Sequence, residues 1–249
     1  MQDVTHEILA KVRKILAKAE DPAATPEEAE TYTAKAAELI AAYGIDRALL
    51  AQADPSSDVV GDRVVVLDPP YALDKADLLS GVACRLRCRS VQRTRYVDGD
   101  KQISLHLFGY DSDLTRAELL YTSLLLQATS TLARTPVPVG EHPAAFRRSW
   151  LAGFTSAITR RLIEIEERAA RRMEPTASEV YTSPQKPFSV VLADRSAAVT
   201  EAMETEYPYL RKASRRTLSG SGGGAGWAAG QRADLGGARV GGPRGQIAG

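Results

Sequence analysis

The stretch CRSVQRTRYVDGDKQISLHLFGY, Cys88 to Tyr110, decides the fold class. Two β-favouring runs, Cys88 to Val97 and Gln102 to Tyr110, flank Asp98-Gly99-Asp100, which is a turn signal for a β-hairpin. Ile103, Leu105 and Leu107 alternate with Ser104 and His106, the period-2 pattern of a strand with one buried face. The hairpin sits inside sequence that otherwise reads as helix. The expected class is therefore α+β: a helix-rich domain around a small antiparallel β-hairpin or sheet.

Working outward, Leu73 to Leu86 is helical in pattern, with Leu78, Leu79, Val82 and Leu86 apolar. Ahead of it, Val64 to Leu67 reads as a short strand ended by Pro69-Pro70, and residues 52–62 read as a linker. On the other side, Asp111-Ser112-Asp113 is expected to cap a long helix reaching Arg134. That helix is apolar on more than one face, which places it in mid-core. Pro136 and Pro138 break it. Pro143 to Met173 follows as another helix, with Phe146, Trp150, Leu151, Phe154, Ile158, Leu162 and Ile165 inside. Its last turns, Arg160 to Arg172, are so charged that they read as solvated. Residues 174–187 read as a loop, Ser189 to Leu192 as a strand, and Ser196 to Glu206 as a helix. Twelve of the last 31 residues are glycine, so little packed structure is expected from Ser219 onward. Trp227-Ala228-Ala229-Gly230 is the exception that could dock a short turn.

The front of the chain reads as a helical hairpin. Ile8, Leu9, Val12, Ile15, Leu16 and Ala19 form one apolar stripe, stopped by Asp21-Pro22. Thr25-Pro26-Glu27-Glu28 is a capping box with proline at the first helical position. Tyr32, Ala36, Leu39, Ile40 and Tyr43 continue that second helix to Gly44, placed for a C-terminal cap. The expected organisation is an acidic helical hairpin over residues 1–52, a mixed α/β domain over 63–218, and a flexible glycine-rich tail over 219–249.

Composition narrows the function classes. The 249 residues are 44% hydrophobic and 25% charged, ordinary for a globular chain with a buried core. No run of 18 apolar residues is present, so no membrane span is expected. Met1 to Ala10 lacks the apolar stretch of a secretory signal, and Cys84 and Cys88 are the only cysteines. A reducing cytoplasm is the expected compartment. The net charge of +1 hides an asymmetry. Residues 1–60 hold 6 Lys/Arg against 11 Asp/Glu, a net of −5, and the remainder is mildly basic. Such a body could bind an acidic partner, though its excess charge is far from that of a strongly basic nucleic-acid domain.

The front also carries a resemblance. Lys11-Val12-Arg13-Lys14-Ile15-Leu16-Ala17-Lys18-Ala19-Glu20, Glu27-Glu28-Ala29 and Ala34-Lys35-Ala36-Ala37-Glu38-Leu39-Ile40-Ala41-Ala42-Tyr43-Gly44-Ile45 resemble the domain of unknown function 2786, a short helical domain of actinobacteria and phages. The remainder is similar to the domain that usually follows it there, at Phe108-Gly109-Tyr110-Asp111-Ser112-Asp113, Phe146 to Phe154, Ala193-Asp194-Arg195 and Ala229 to Leu235. The resemblance implies no activity. Its phage-like settings raise the expectation of a role with DNA.

Chemical motifs are sparse. His6, His106 and His142 form no H-E-x-x-H pattern, and a zinc site at Cys84 and Cys88 would have to borrow His106. No metal and no cofactor are expected, and the cysteines read more simply as small residues at a helix–strand junction. There is no G-x-S-x-G, and Gly220 to Gly226 lacks the Lys-Ser/Thr of a phosphate loop. Asp111 and Asp113 could pair in acid–base or Mg²⁺ chemistry, but capping explains both without it.

The arginines say more. Arg89, Arg93 and Arg95 share parity, so on a strand they project from one face, where they could meet phosphates; Arg87 could join them. Tyr96 falls on the opposite face. Arg211, Lys212, Arg215 and Arg216 form a second basic cluster. Against these stand the simpler readings of a charged edge strand and a solvated basic segment. The expected function is a non-enzymatic accessory protein that binds DNA or RNA through Arg89, Arg93, Arg95, Arg211, Lys212, Arg215 and Arg216. The alternatives are a module in which the acidic hairpin docks a protein partner or a second copy, and a hydrolase using Asp111, Asp113 or His106.

Overall fold

A computed structural model describes residues 58–173, 188–211 and 216–235. The expected front hairpin, 1–52, lies outside the described residues, as do Lys212, Arg215 and the end of the chain from 236.

The hairpin forms, and a third strand joins it. Strand β1 is Val60–Leu67, helix α1 Ala72–Arg85, β2 Arg89–Val97 and β3 Asp100–Tyr110. The sheet order is β1-β3-β2, antiparallel throughout. Asp98 and Gly99 turn the hairpin with φ of 52° and 89°; two successive residues in the left-handed region suit the twist of a two-residue loop. Strand β1 begins earlier than Val64, and Asp58 is buried. The expected linker 52–62 is thus corrected at its C-terminal end, because antiparallel pairing to β3 draws Val60 to Asp62 into the ladder.

The central strand is buried on both faces from Ile103 to Gly109, with the aliphatic side chains on one of them. Ile103, Leu105 and Leu107 are 0–4% exposed and face helices α1 and α2. Leu78, Leu79 and Val82 of α1 are equally buried, and helix α2, Asp111–Arg134, contributes Leu114, Ala117, Leu120 and Leu124. The first half of α2 is buried on more than one side, as expected of a mid-core helix, whereas its later turns emerge to solvent.

Helix α3 spans Pro143–Met173 and buries Phe146, Trp150, Phe154, Ile158 and Leu162. Trp150 and Phe154 stack at 5.4 Å between ring centroids. The charged end of α3 is not simply solvated. Glu166 binds Arg87 and Arg116, and Arg161 donates to the carbonyls of Gly230 and Ala233. These partners come from distant elements, which local charge density does not reveal.

Two further expectations change. Ser189 to Leu192 is not a strand; Phe188–Glu206 is one helix, α4. Nor is the glycine-rich segment structureless over its first part: Gly223–Arg232 forms helix α5, packed along α3. Glycine serves close approach here. A Cβ on Gly226 would lie 1.8 Å from the Trp150 carbonyl oxygen, and one on Gly153 would lie 2.0 Å from that of Gly223. Compositional bias towards glycine signals flexibility only where no neighbour uses the missing side chains. Among the described residues, no helix is long and apolar enough to cross a membrane.

Candidate functional site

The outer face of the sheet, opposite Leu105 and Leu107, holds the residues singled out for binding. Register places Arg89 beside Phe108, Val91 beside His106, Arg93 beside Ser104 and Arg95 beside Gln102. On the other side of β3, the same face carries Asp62, Val64 and Val66. Arg89, Arg93 and Arg95 therefore do share one face, with Val91 between them and Tyr96 on the other.

Helix α4 divides this face into two halves. Val199 of α4 packs on Val91 and Phe108, with Val60, Tyr110, Ala202, Met203 and Tyr207 around them. Arg89 donates to the Ser196 hydroxyl of α4 at 2.9 Å, so it belongs to the covered half. His106 lies at the boundary. One ring nitrogen meets Asp62 at 2.8 Å, the other meets the Tyr207 hydroxyl at 2.7 Å, and the ring packs against Phe108. This chain clasps the end of α4 to the sheet.

Beyond the clasp the face is open. Val64 and Val66 are 50% and 46% exposed, Arg93 is half-buried and Arg95 exposed. Neither Arg93 nor Arg95 makes an ion pair or a side-chain hydrogen bond among the described residues. Most other arginines near the sheet are engaged. Arg63 binds Asp111 at 2.5 Å and Glu118 at 2.7 Å. Arg216, expected to bind nucleic acid, is held by Asp74 and Asp77 instead, and its basic-cluster neighbour Arg211 is exposed. The correction for Arg216 has a plain cause: two carboxylates of α1 lie in its reach. For Arg89 it is the arrival of α4.

At the far end of the sheet lies a buried ionic cluster that sequence reasoning missed in most of its members. Asp113 receives Arg87 at 3.1 Å and Arg116 at 3.3 Å on one oxygen, and Arg195 at 3.3 Å on the other. Glu166 pairs with Arg87 at 2.8 Å and Arg116 at 3.0 Å. Asp58 accepts Arg195 at 2.7 Å, the Ser112 hydroxyl at 2.6 Å and the Ser112 backbone N–H at 3.1 Å. The cap of α2 is thus Asp58, reached across 54 residues, and neither Asp111 nor Asp113 fills the expected capping role. Arg87 leaves the arginine row because its φ of 65° turns it inward before β2 begins. The Arg195 guanidinium also sits 3.6 Å over the Tyr110 ring, adding a cation–π contact.

Burial alone would raise the Asp113 carboxyl, but the three guanidiniums outweigh it and hold the group below the usual carboxylate range. Burial pushes the Cys88 thiol up to about 12, with the Asp113 charge adding to it. A thiol so placed is un-ionised at neutral pH and a poor nucleophile or metal ligand. Cys84 is exposed, and His106 is occupied on both ring nitrogens. Among the described residues, no three His, Cys, Asp or Glu side chains group as a metal site would require. The side chains weighed for hydrolysis are each committed: Asp111 to Arg63, Asp113 to three arginines, His106 to the clasp.

Comparison with known proteins bears on the front of the chain. Residues 7–47 match the family model of a protein of unknown function, DUF2786. No curated protein and no solved structure matches the chain.

Proposed function

We propose that this protein, whose residues 7–47 match the DUF2786 family model, is a cytoplasmic nucleic-acid-binding accessory protein that contacts phosphates through Arg93 and Arg95. The observation that carries the reading is the state of these two side chains. They lie on the open half of a sheet face, adjacent by parity, with no carboxylate among the described residues paired to them. A guanidinium free of internal partners keeps all its donors for an external anion, and phosphate oxygens match its planar fork. Arg89 and Arg216 leave the expected set because they already have partners.

That residues 58–235 form the domain that usually follows DUF2786 in actinobacterial and phage chains is part of the same reading. The docking role considered for the acidic front hairpin rests on residues outside the described part, so nothing in the described fold favours it over the arginine face.

The test is fluorescence anisotropy of labelled DNA and RNA, titrated with wild-type protein and with Arg93→Glu/Arg95→Glu. Wild type is expected to bind, with affinity falling as salt rises. Two phosphate contacts contribute roughly 1.4 to the log–log salt slope on a single strand, and the double reversal removes that share. Unchanged binding by the variant would refute the site.

A further inference from the structure

The open half-face is not only basic. Across the sheet, Val66, Ser104 and Arg93 lie side by side on β1, β3 and β2, and Val64 lies one step along from Val66. Two strand spacings separate the valine row from the arginine row, about 10 Å between backbones. Val64 and Val66 are half-exposed, whereas Ile103, Leu105 and Leu107 on the opposite face of the central strand are almost fully buried. Val91, on the same face under α4, is only 8% exposed, which shows what cover does to a valine here.

A ligand for this half must therefore satisfy two demands at once: negative charge over β2 and apolar surface over β1. A duplex meets only the first. Its exterior is phosphate and sugar, its base faces are stacked inside, and laying it on the valines would desolvate charge for no apolar gain. A single strand meets both, because its phosphates follow one track while unstacked bases lay their faces on a neighbouring one. The span from a phosphate to the far edge of its own base is comparable to the distance between the two rows. Gln102, opposite Arg95 and only partly buried, places a polar side chain beside the arginine row, while the buried Ser104 fills the floor between the rows.

We infer that the open half-face binds single-stranded nucleic acid in preference to duplex, with phosphates on Arg93 and Arg95 and bases on Val64 and Val66. The inference rests on the arginine reading above and adds the class of polymer and the apolar half of the site.

The experiment compares a labelled oligothymidylate of about 16 nucleotides with a blunt duplex of equal length, by anisotropy at low salt. The proteins are the full chain, Val64→Asp/Val66→Asp, and the milder Val64→Thr/Val66→Thr, each checked by thermal melting. Both valines are half-exposed, so the threonine pair should melt with wild type. The expected result is tighter binding of the single strand by wild type, an about tenfold loss on the single strand for the aspartate pair, and a smaller loss for the threonine pair. Equal affinity for strand and duplex, or valine variants that bind the strand as wild type does, would overturn this inference and leave the arginine reading standing. Displacement of the oligonucleotide by poly-glutamate as readily as by unlabelled oligothymidylate at equal charge would also overturn it, since charge alone would then suffice. Failure of both polymers to bind would overturn the two together.

Discussion

The covered and open halves of the outer sheet face come from the same three strands, yet they do opposite work. In the covered half, Val91 and Phe108 are buried beneath Val199, Arg89 is tied to Ser196, and His106 links Asp62 to Tyr207. In the open half, two valines stay half in water and two arginines have no partner among the described residues. Strand parity is the same in both. What differs is whether a helix from about 100 residues further along the chain arrives on top. A projecting arginine is thus a contact within the fold at Arg89 and a free donor at Arg93, for reasons that no window around either residue contains.

The comparison breaks most severely where the cover is anchored. Asp113→Asn removes the charge that Arg87, Arg116 and Arg195 share, leaving three buried guanidiniums with only Glu166 and Asp58 to compensate them. Removing one partner of a buried pair costs about 3–5 kcal/mol, so melting should fall by roughly 10 °C. Thermal denaturation measures it, and a shift of only a degree or two would mean that the cluster is dispensable. The same anchor makes stability acid-sensitive. The Asp113 carboxyl is held below its unfolded value, so its contribution is complete above about pH 4 and is lost as pH falls through the depressed folded value. The melting gap between wild type and Asp113→Asn should therefore narrow below about pH 4. A gap that widened on acidification would contradict the assigned sign. Asp74 works the other way, since burial raises its carboxyl against the pull of Arg216 and Arg148; its burial favours the protonated form and weighs against folding as pH rises.

The smallest effect sharpens the boundary. Ser196→Ala removes the acceptor that holds Arg89 and should cost about 0.5–1.5 kcal/mol, a shift of a few degrees. It also loosens Arg89, two same-face positions from Arg93 across Val91, so nucleic-acid affinity should rise modestly while stability falls, which anisotropy on the same variant would show. Loss of both would mean that Arg89 contributes to packing alone. Arg93→Glu/Arg95→Glu makes the complementary case, with melting within about 0.5 kcal/mol of wild type because neither residue has a partner to lose among the described residues.

Much of the described architecture was legible where the signal is local. The hairpin followed from alternation and Asp98-Gly99, the helices at 72–85, 111–134 and 143–173 from their apolar periodicity and proline breaks, and the common face of Arg89, Arg93 and Arg95 from parity. The misses share one property. Asp58 looked like linker, Arg195 like an ordinary helical arginine, Glu166 like part of a solvated charged run, and Gly226 like flexible tail. Each is defined by a partner between about 50 and 140 residues away.

The sequence by itself determined the element types, the strand parity and the presence of a basic face, because backbone propensity and side-chain alternation act over a few residues. Only the tertiary structure decided which arginines are spent inside the fold and which have no partner among the described residues. Burial of a charge depends on desolvation and on an opposite charge brought close in space, and those are settled when α3 and α4 pack, not when the strand forms.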